Sequence, residues 1–361
     1  MKPRTYPICW IISGILLVMV LALGIILDAQ FRTKLELISP KVLTVAMFQL
    51  GDPLDPASIG EGSIWVQGRH LNTVTQIPGA NSPLYCNSSS DHCLVVTGVG
   101  TANATTTLMA LAMNERVNLS KTYILVAGIA GTSPEVNTIG GVAWADWVID
   151  STTTSEFDSR EMPSSYNYPK FPYACPKEWC EEITKLGTEI YQLNPTLVEW
   201  AYRLTKEISL EDSASAQAQR DLYPQEAAQK QPFVSKCTIL GGNTFWHGSM
   251  MSDWASWWVI QWTEGQSYYC MTAVEEVGIL PAVYALKGTG DVDPDRVMIV
   301  RVASNFDQQH PQQTAQESLA TALEGVNTTT GLKNVYLVGG TVTDYIIQHW
   351  SEWEAGIPPL E

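Results

Sequence analysis

Two glycine-rich turns have the residue types that bind a ligand through the backbone, and each follows a short apolar run. The first turn contains Gly98 and Gly100, and the second contains Gly128 and Gly131. Glycine lets the backbone approach a ligand closely. A helix that begins at such a turn directs free N–H groups at the same spot and favours an anion there. The two turns therefore predict a ligand site built from backbone donors.

A third apolar run, residues 297–302, ends in the polar segment 303–307. Short runs of β-branched residues without polar alternation are typical of strands buried on both faces. Ligands of open α/β sheets bind at the carboxyl ends of parallel strands. We therefore expect the two turns and the polar segment to meet in one crevice, where enzymes of this class carry out their chemistry.

The charge and residue composition of the chain argue against a nucleic-acid partner and against a metal site. The chain has 361 residues, 45% of them hydrophobic and 16% charged, and its net charge is −16 with 21 lysines and arginines. A nucleic-acid polymer needs clustered cations on the protein, so the sequence predicts no such partner. The five histidines are scattered and no Cys/His cluster has zinc-like spacing, so no metal site is predicted.

The first 40 residues contain a membrane-directed segment. Residues 8–27 carry no charge and are long enough to span a bilayer, and Lys2 and Arg4 precede them on the side that stays cytosolic. This pattern favours a transmembrane signal anchor over a cleaved signal peptide, whose apolar region is usually shorter. We expect a cytosolic tail (1–7), one membrane helix, a stalk (28–40) and an extracytoplasmic domain at the cell surface or in the secretory lumen, secreted if the segment is cleaved.

Two further features agree with the secretory route. Acceptor triplets for N-glycans begin at Asn87, Asn103, Asn118 and Asn327. Outside the apolar segment the chain has an even number of cysteines, which indicates disulfides in an oxidising compartment: Cys86, Cys93, Cys175, Cys180, Cys237 and Cys270. Pairs 86–93 and 175–180 would close short loops and leave 237–270. Spacing alone fixes no connectivity, and buried free thiols are the alternative.

Strands and helices alternate along residues 41–361, which predicts one α/β domain. The predicted strands include 41–49, 142–150, 297–303 and a final strand at 334–338. The predicted helices are 105–115, 272–286, 313–324 and 345–354, with a mostly helical stretch over 179–228. Residues 158–177 are rich in Pro, Tyr and Ser and predict an ordered insertion or lid.

Several longer motifs occur in a fixed order. They are Gly-x-Gly-x-Ala-Asn-Ala at 98–104, Thr-Tyr with an aliphatic strand and Ala-Gly-Ile-Ala-Gly at 122–131, Glu-Phe-Asp-x-Arg-Glu at 156–161, Phe-Trp-His-Gly at 245–248, Tyr-Cys-x-Thr-Ala-x-Glu at 269–275 and Arg-x-x-Ser-Asn-Phe-Asp at 301–307. With these motifs, residues 40–358 resemble the fungal purine nucleoside permease family, which looks like a divergent branch of the nucleoside phosphorylase and nucleosidase superfamily. The resemblance implies a three-layer α/β/α nucleoside phosphorylase-like domain with a central mixed sheet.

The resemblance also implies roles for residues that would hold a nucleoside. Glu275, near the start of a predicted helix, matches the glutamate that binds the ribose hydroxyls, and Glu276 is the weaker candidate. Asn305 matches the residue that donates to purine N7, where the nucleosidases carry Asp. An amide donates a hydrogen bond but cannot act as a general acid. Asp307, two residues on, either faces the same side or caps the loop.

The attacking group would be water or phosphate. By resemblance, Glu61 and Arg301 match the pair with which nucleosidases position a water, and an acid of residues 156–161 is the alternative partner of Arg301. Asp55 stands where a phosphorylase has a phosphate-binding arginine, and a carboxylate there repels phosphate. The sequence therefore favours hydrolysis over phosphorolysis. Phosphate remains a candidate co-substrate, and no other cofactor is expected.

The other candidate substrate contacts come from the turns and the aromatic motif: Thr97, Gly98, Gly100, Ala130, Gly131, Trp246 and His247. A structural hydrogen bond is the alternative for His247. Tryptophans also stand at 254, 257, 258 and 262. This near-helical spacing is more typical of packing, or of an interface in a homo-oligomer, than of purine stacking.

The expected function is purine nucleoside binding with cleavage of the N-glycosidic bond in extracellular salvage. The alternatives are a component of nucleoside transport and a non-catalytic nucleoside-binding protein. A single span cannot line a polar path through lipid, so the chain is not expected to form a pore by itself.

Overall fold

The computed structural model describes residues 37–180 and 185–360. The predicted tail and membrane helix, and most of the predicted stalk, lie outside these residues. In the part of the chain that the structure describes, no helix has the length and apolarity needed to cross a membrane.

A mixed sheet of ten strands forms the centre of the described domain. The described chain has fourteen strands: β1 (Val42–Ala46), β2 (Gln49–Leu50), β3 (Ile59–Gly60), β4 (Thr73–Thr75), β5 (Leu84–Cys86), β6 (His92–Val96), β7 (Tyr123–Thr132), β8 (Val142–Asp150), β9 (Thr154–Glu156), β10 (Lys170–Pro172), β11 (Ile190–Gln192), β12 (Val234–Gly241), β13 (Tyr269–Ala273) and β14 (Val297–Phe306). Strands β2 and β3 form a separate two-stranded sheet, as do β9 and β10, and the other ten strands form the central sheet. The order in the sheet is β11-β8-β12-β13-β7-β1-β6-β5-β4, and β14 pairs with both β7 and β8.

Four parallel strands at the centre of this sheet set the position of the predicted crevice. Strand β1 pairs in parallel with β6 and β7, and β14 pairs in parallel with β7. All five residues of β1 are buried, as expected for an apolar strand covered on both faces. Because the strands are parallel, their carboxyl ends bring residues 97–100, 128–131 and 303–307 to the same edge of the sheet.

Ten α-helices of the described chain surround the sheet. They are α1 (Glu61–Gly68), α2 (Thr101–Ala112), α3 (Pro195–Thr205), α4 (Ala214–Arg220), α5 (Glu226–Gln229), α6 (Ser249–Trp262), α7 (Glu276–Leu286), α8 (Ala315–Leu323), α9 (Thr328–Gln348) and α10 (Trp350–Trp353). Helix α9 packs on β7, β14 and α3, while α2 packs on α7. The predicted mixed α/β class is confirmed.

The final strand predicted at 334–338 is wrong, because these residues lie inside α9. A short apolar run does not distinguish a buried helix from a strand. Gly339 lets α9 approach the sheet closely, since an added Cβ would lie 3.1 Å from Leu125 Cδ2 and 3.1 Å from Trp65 Cη2. The helix predicted at 345–354 is divided between the end of α9 and α10.

Two other predicted boundaries change. The helix predicted at 272–286 begins only at Glu276, because Tyr269–Ala273 pairs with β12 and β7 as strand β13. The stretch 179–228, predicted as mostly helical, contains strand β11 as well as α3, α4 and α5.

The predicted insertion at 158–177 contains strand β10, which pairs antiparallel with β9. Within the insertion, Phe171 packs on Tyr166 with ring centroids 5.4 Å apart, and it also packs on Phe157, just before the insertion, at 5.0 Å. The indole of Trp254, on α6, donates to the carbonyl of Lys170 at 3.2 Å. These contacts connect the insertion to the body of the domain.

All six described cysteines form disulfides. The pairs are Cys86–Cys93, Cys175–Cys180 and Cys237–Cys270. The prediction of disulfides is confirmed, and the alternative of free thiols is wrong for these residues.

Candidate functional site

A cavity of about 470 Å³ opens at the edge where the parallel strands end. Its wall contains Met47 and Phe48 after β1, Val99 after β6, and residues 129–131 of β7. Five polar residues suggested by the sequence also lie in this wall: Glu61, Glu275, Arg301, Asn305 and Asp307. The fold therefore brings together groups that are far apart in sequence.

Arg301, on β14, lies among three carboxylates. Its Nη2 is 3.3 Å from Glu275 Oε2, its Nη1 is 3.8 Å from Glu61 Oε1, and its Nε donates to Glu276 Oε1. Burial alone would lower the pKa of Arg301, but the three carboxylates outweigh it and raise that pKa above its usual value. The alternative pairing of Arg301 with an acid of 156–161 is wrong. The single positive charge of Arg301 is thus shared by ion pairs with three acidic side chains.

Glu61 begins α1 and is held by backbone donors. Its Oε2 accepts from Met47 N–H at 2.8 Å and Phe48 N–H at 2.9 Å, and its Oε1 accepts from Ile129 N–H at 2.7 Å. Burial raises the pKa of Glu61 in spite of Arg301 and these donors. The carboxylate is therefore fixed in the cavity wall and is a stronger base than a glutamate in water.

Glu275 is the N-cap residue of α7 and reaches the N-terminus of α2. Its Oε1 accepts from Gly100 N–H at 2.9 Å, and the next backbone N–H, of Thr101, donates to Asn243 Oδ1 at 3.0 Å. The turn at Gly100 was predicted to favour an anion. In the structure, the chain's own Glu275 carboxylate is the anion at this place.

Asn305 and Asp307 have different partners. Asn305 Nδ2 donates to the Phe306 carbonyl at 2.8 Å, and its Oδ1 accepts from Ser304 Oγ at 3.1 Å. Asp307 Oδ2 accepts from Tyr269 Oη at 2.6 Å and from a serine of α6, whereas Asp307 Oδ1 is buried without a partner among the described residues. Burial raises the pKa of Asp307 to about 7, although both donors oppose the shift.

The other predicted contacts divide into two groups. Ala130, Gly131 and Trp246 lie in the cavity wall. Three residues of the first turn do not: Thr97, Gly98 and Gly100. Gly98 instead lines a neighbouring depression of about 580 Å³ that shares Met47, Phe48 and Val99 with the cavity.

His247 and the tryptophans of α6 have structural contacts. His247 Nε2 is 2.7 Å from Ser318 Oγ, outside the cavity wall, and burial lowers the pKa of His247 to about 4. This geometry matches the structural alternative for His247. Trp254 stacks on Trp258 with ring centroids 5.3 Å apart, and Trp258 contacts Trp262 at 5.6 Å. These tryptophans pack together and do not line the cavity.

Sequence reasoning missed two residues that contact Asp307. Tyr269 opens a motif that the sequence analysis used, yet its hydroxyl had no assigned partner. Ser252 lies in the tryptophan-rich segment, where the only sequence signal was packing; its Oγ donates to Asp307 Oδ2 at 3.1 Å. No feature of the sequence indicates that this serine faces an acid on another element.

Comparison with known proteins gives consistent matches along almost the whole described chain. A family model described as "Purine nucleoside permease (NUP)" matches residues 39–358. A probable purine nucleoside permease of Schizosaccharomyces pombe is 30% identical over 350 residues, which cover 92% of this chain and 97% of that protein. A purine nucleoside permease of Candida albicans is 29% identical over 333 residues, covering 90% of this chain and 79% of that protein.

Solved structures share the fold at low sequence identity. A 5′-methylthioadenosine/S-adenosylhomocysteine nucleosidase from Helicobacter pylori aligns with a TM-score of 0.50 and 11% identity, covering 85% of this chain and 99% of that chain. A mutant of the same enzyme with 5′-methylthioadenosine in its active site aligns with a TM-score of 0.50, covering 84% of this chain. These likenesses establish a nucleosidase-like fold.

Proposed function

The chain belongs to the purine nucleoside permease family, and from that premise we propose that it binds purine nucleosides in the Arg301 cavity and hydrolyses their N-glycosidic bond. Family membership and the nucleosidase-like fold both support nucleoside binding. We favour hydrolysis over phosphorolysis because of the charged side chains in and around the cavity wall.

The arrangement around Arg301 carries the proposal. Among the described residues of the cavity wall, Arg301 is the only lysine or arginine, and Glu61, Glu275 and Glu276 surround it. A phosphate ion entering this cavity would meet an excess of negative charge in a poorly hydrated site, where such repulsion is strong. Water is uncharged and is not repelled by these carboxylates, so it is the favoured attacking group.

The N-terminus of α2 also disfavours phosphate as the attacking group. A free helix N-terminus binds phosphate well, but here Glu275 accepts from Gly100 N–H and Asn243 accepts from Thr101 N–H. A phosphate would have to displace a carboxylate that Arg301 also holds. These backbone donors at the helix N-terminus are thus already bound by the protein's own side chains.

The roles follow from these contacts. Glu61 holds the attacking water and takes its proton, since burial has raised the pKa of Glu61. Glu275 accepts hydrogen bonds from the ribose hydroxyls, and the nearby carboxylates stabilise positive charge that develops on the sugar. The bond between C1′ and the purine nitrogen breaks, the bonding pair leaves with the base, and Asp307 supplies a proton to that base. Water oxygen forms the new bond to C1′.

The test is release of free base from purified protein incubated with inosine, guanosine or adenosine, with and without phosphate. We expect base and free ribose at a rate that phosphate does not raise. Glu61→Gln should lower kcat/KM by roughly 10²-fold, because general-base catalysis typically contributes 10² to 10⁴. Glu207→Gln, at an exposed glutamate remote from the cavity wall, is the control. Formation of ribose 1-phosphate would contradict hydrolysis.

Nucleoside binding without cleavage is the second candidate, favoured by the name that the relatives carry. In that case purified protein would bind nucleosides, and Glu275→Gln would weaken binding, while no free base would form under any condition. Both measurements on the same preparation separate a transport or sensor component from an enzyme.

A further inference from the structure

The two oxygens of the Asp307 carboxyl group have unequal surroundings. We propose that Tyr269 and Ser252 are positioning residues for Asp307: both bind Oδ2, which leaves the proton of the acid on Oδ1 as the hydrogen-bond donor to a nitrogen of the purine. This inference rests on the proposed function and extends it, because it names the groups that hold Asp307 and the oxygen that carries its proton.

Three elements hold Asp307: β13, β7 and α6 with its N-cap residue Gly248. Tyr269, on β13, places its buried hydroxyl 2.6 Å from Oδ2, and Ser252, on α6, places its Oγ 3.1 Å from the same oxygen. The backbone is also held, because the N–H of Asp307 donates to the Thr132 carbonyl at 2.9 Å and its carbonyl accepts from Gly248 N–H at 2.8 Å. The side chain therefore cannot rotate without breaking its bonds to β13 and α6.

The position of the proton follows from these bonds. An oxygen that accepts two hydrogen bonds is already satisfied as an acceptor, so the proton of a neutral Asp307 lies on Oδ1. Among the described residues Oδ1 has no partner, and a buried unpaired charge is costly, which favours the protonated form. Asn305, by contrast, already uses an amide hydrogen on the Phe306 carbonyl.

Few titratable groups face Asp307. They are Tyr269 on β13, Asp253 on α6 and Tyr223 in the segment before α5. Asp253 adds repulsion that raises the pKa of Asp307, whereas the Tyr269 and Ser252 donors lower it. Removing the Tyr269 hydroxyl should therefore move the pKa of Asp307 upwards from about 7.

Infrared spectroscopy of the whole protein measures this titration without requiring catalysis. The carbonyl band of protonated carboxylic acids is followed against pH, and Asp307→Asn identifies the contribution of Asp307. We expect the midpoint to rise in Tyr269→Phe and to rise by less in Ser252→Ala, whose bond is longer. Tyr268→Phe is the matched control, because the Tyr268 hydroxyl donates to the Lys236 carbonyl instead.

The outcomes separate the two proposals. An Asp307 midpoint that is unchanged in both Tyr269→Phe and Ser252→Ala overturns the positioning role, whether or not the protein cleaves nucleosides. A shifted midpoint without any base release refutes hydrolysis and supports the positioning role. If base is released, the alkaline limb of kcat/KM should move with the infrared midpoint, whereas a merely structural effect would lower kcat/KM equally at every pH.

Discussion

The guanidinium of Arg301 pairs with three carboxylates. These carboxylates differ in how many lone pairs they keep for a ligand. Glu276 is fully buried and lies outside the cavity wall. Glu61 already accepts three backbone hydrogen bonds. Glu275 lies in the wall, and each of its oxygens has one bond, to Gly100 N–H or to Arg301. Glu275 therefore keeps lone pairs for two hydroxyl groups, while Glu276 serves to hold Arg301 in place.

Substitution of Glu275 tests this division at the level of one residue. Glu275→Gln should lower kcat/KM for nucleoside cleavage by roughly 10²-fold, since hydrogen bonds to a charged group contribute about 1.5–3 kcal/mol and tighten in the transition state. Glu276→Gln, outside the cavity wall, should instead act mainly on the free energy of unfolding, because a buried ion pair loses one partner. Steady-state kinetics and urea unfolding of both variants provide the measurements. Equal effects on kcat/KM would remove the distinction between them.

At the level of elements, the carboxyl half of β7 holds the charged cluster in place by coming close to it. Gly128 lies on this strand, where an added Cβ would lie 2.6 Å from Arg301 Nη1 and 2.6 Å from Met47 Cε, and would also contact Glu61 Oε1. The absence of a side chain at this position therefore has a packing reason. Its neighbour Ile129 supplies the N–H that holds Glu61.

A methyl group at Gly128 should disturb the cluster. Gly128→Ala is expected to destabilise the protein by about 1–3 kcal/mol, the usual cost of overpacking, and to abolish most of the activity, since Glu61 and Arg301 must move. Gly288→Ala is the control because nothing lies within 4 Å of its added Cβ. Its unfolding free energy should stay within about 0.5 kcal/mol of the wild type. A Gly128→Ala variant with wild-type stability and activity would show that the cluster is not close-packed.

The elements differ in how far the sequence predicts them. The sequence predicts strand β14 because a buried β-branched run gives a direct signal, and it predicts β8 as the strand that follows the second glycine-rich segment. Residues 334–338 of helix α9 are predicted as a strand because a short apolar run does not distinguish a buried helix from a strand. Gly339, which follows this run, allows close packing on Trp65 and Leu125. The pairing of Glu61 with Arg301 was predicted only through the resemblance, and the hydrogen bond from Gly100 N–H to Glu275 had no signal in the sequence. Gly100 and Glu275 are 175 positions apart, and only the sheet order brings them together.

At the level of the whole molecule, the disulfides agree with the predicted secretory route. All six cysteines of the described chain are paired, and such bonds persist in oxidising compartments and are rare in the cytosol. The net charge of −16 spread over the protein agrees with a small-molecule ligand rather than a nucleic-acid polymer. Retention of the domain at a membrane through the apolar segment 8–27 is a prediction from the sequence.

We predict that residues 41–361 lie outside the cytosol, tethered to the membrane by residues 8–27. The apolar segment is long enough to span a bilayer, and Lys2 and Arg4 favour a cytosolic N-terminus. Protease added to intact, wall-free cells should remove the globular domain if it is at the cell surface, while a cytosolic marker protein stays protected. If the domain is instead in the secretory lumen, it should resist protease in sealed vesicles and be digested after detergent is added. Digestion at the cytosolic face of sealed vesicles, with six free thiols titrated in the denatured domain, would place the domain in the cytosol and contradict the prediction.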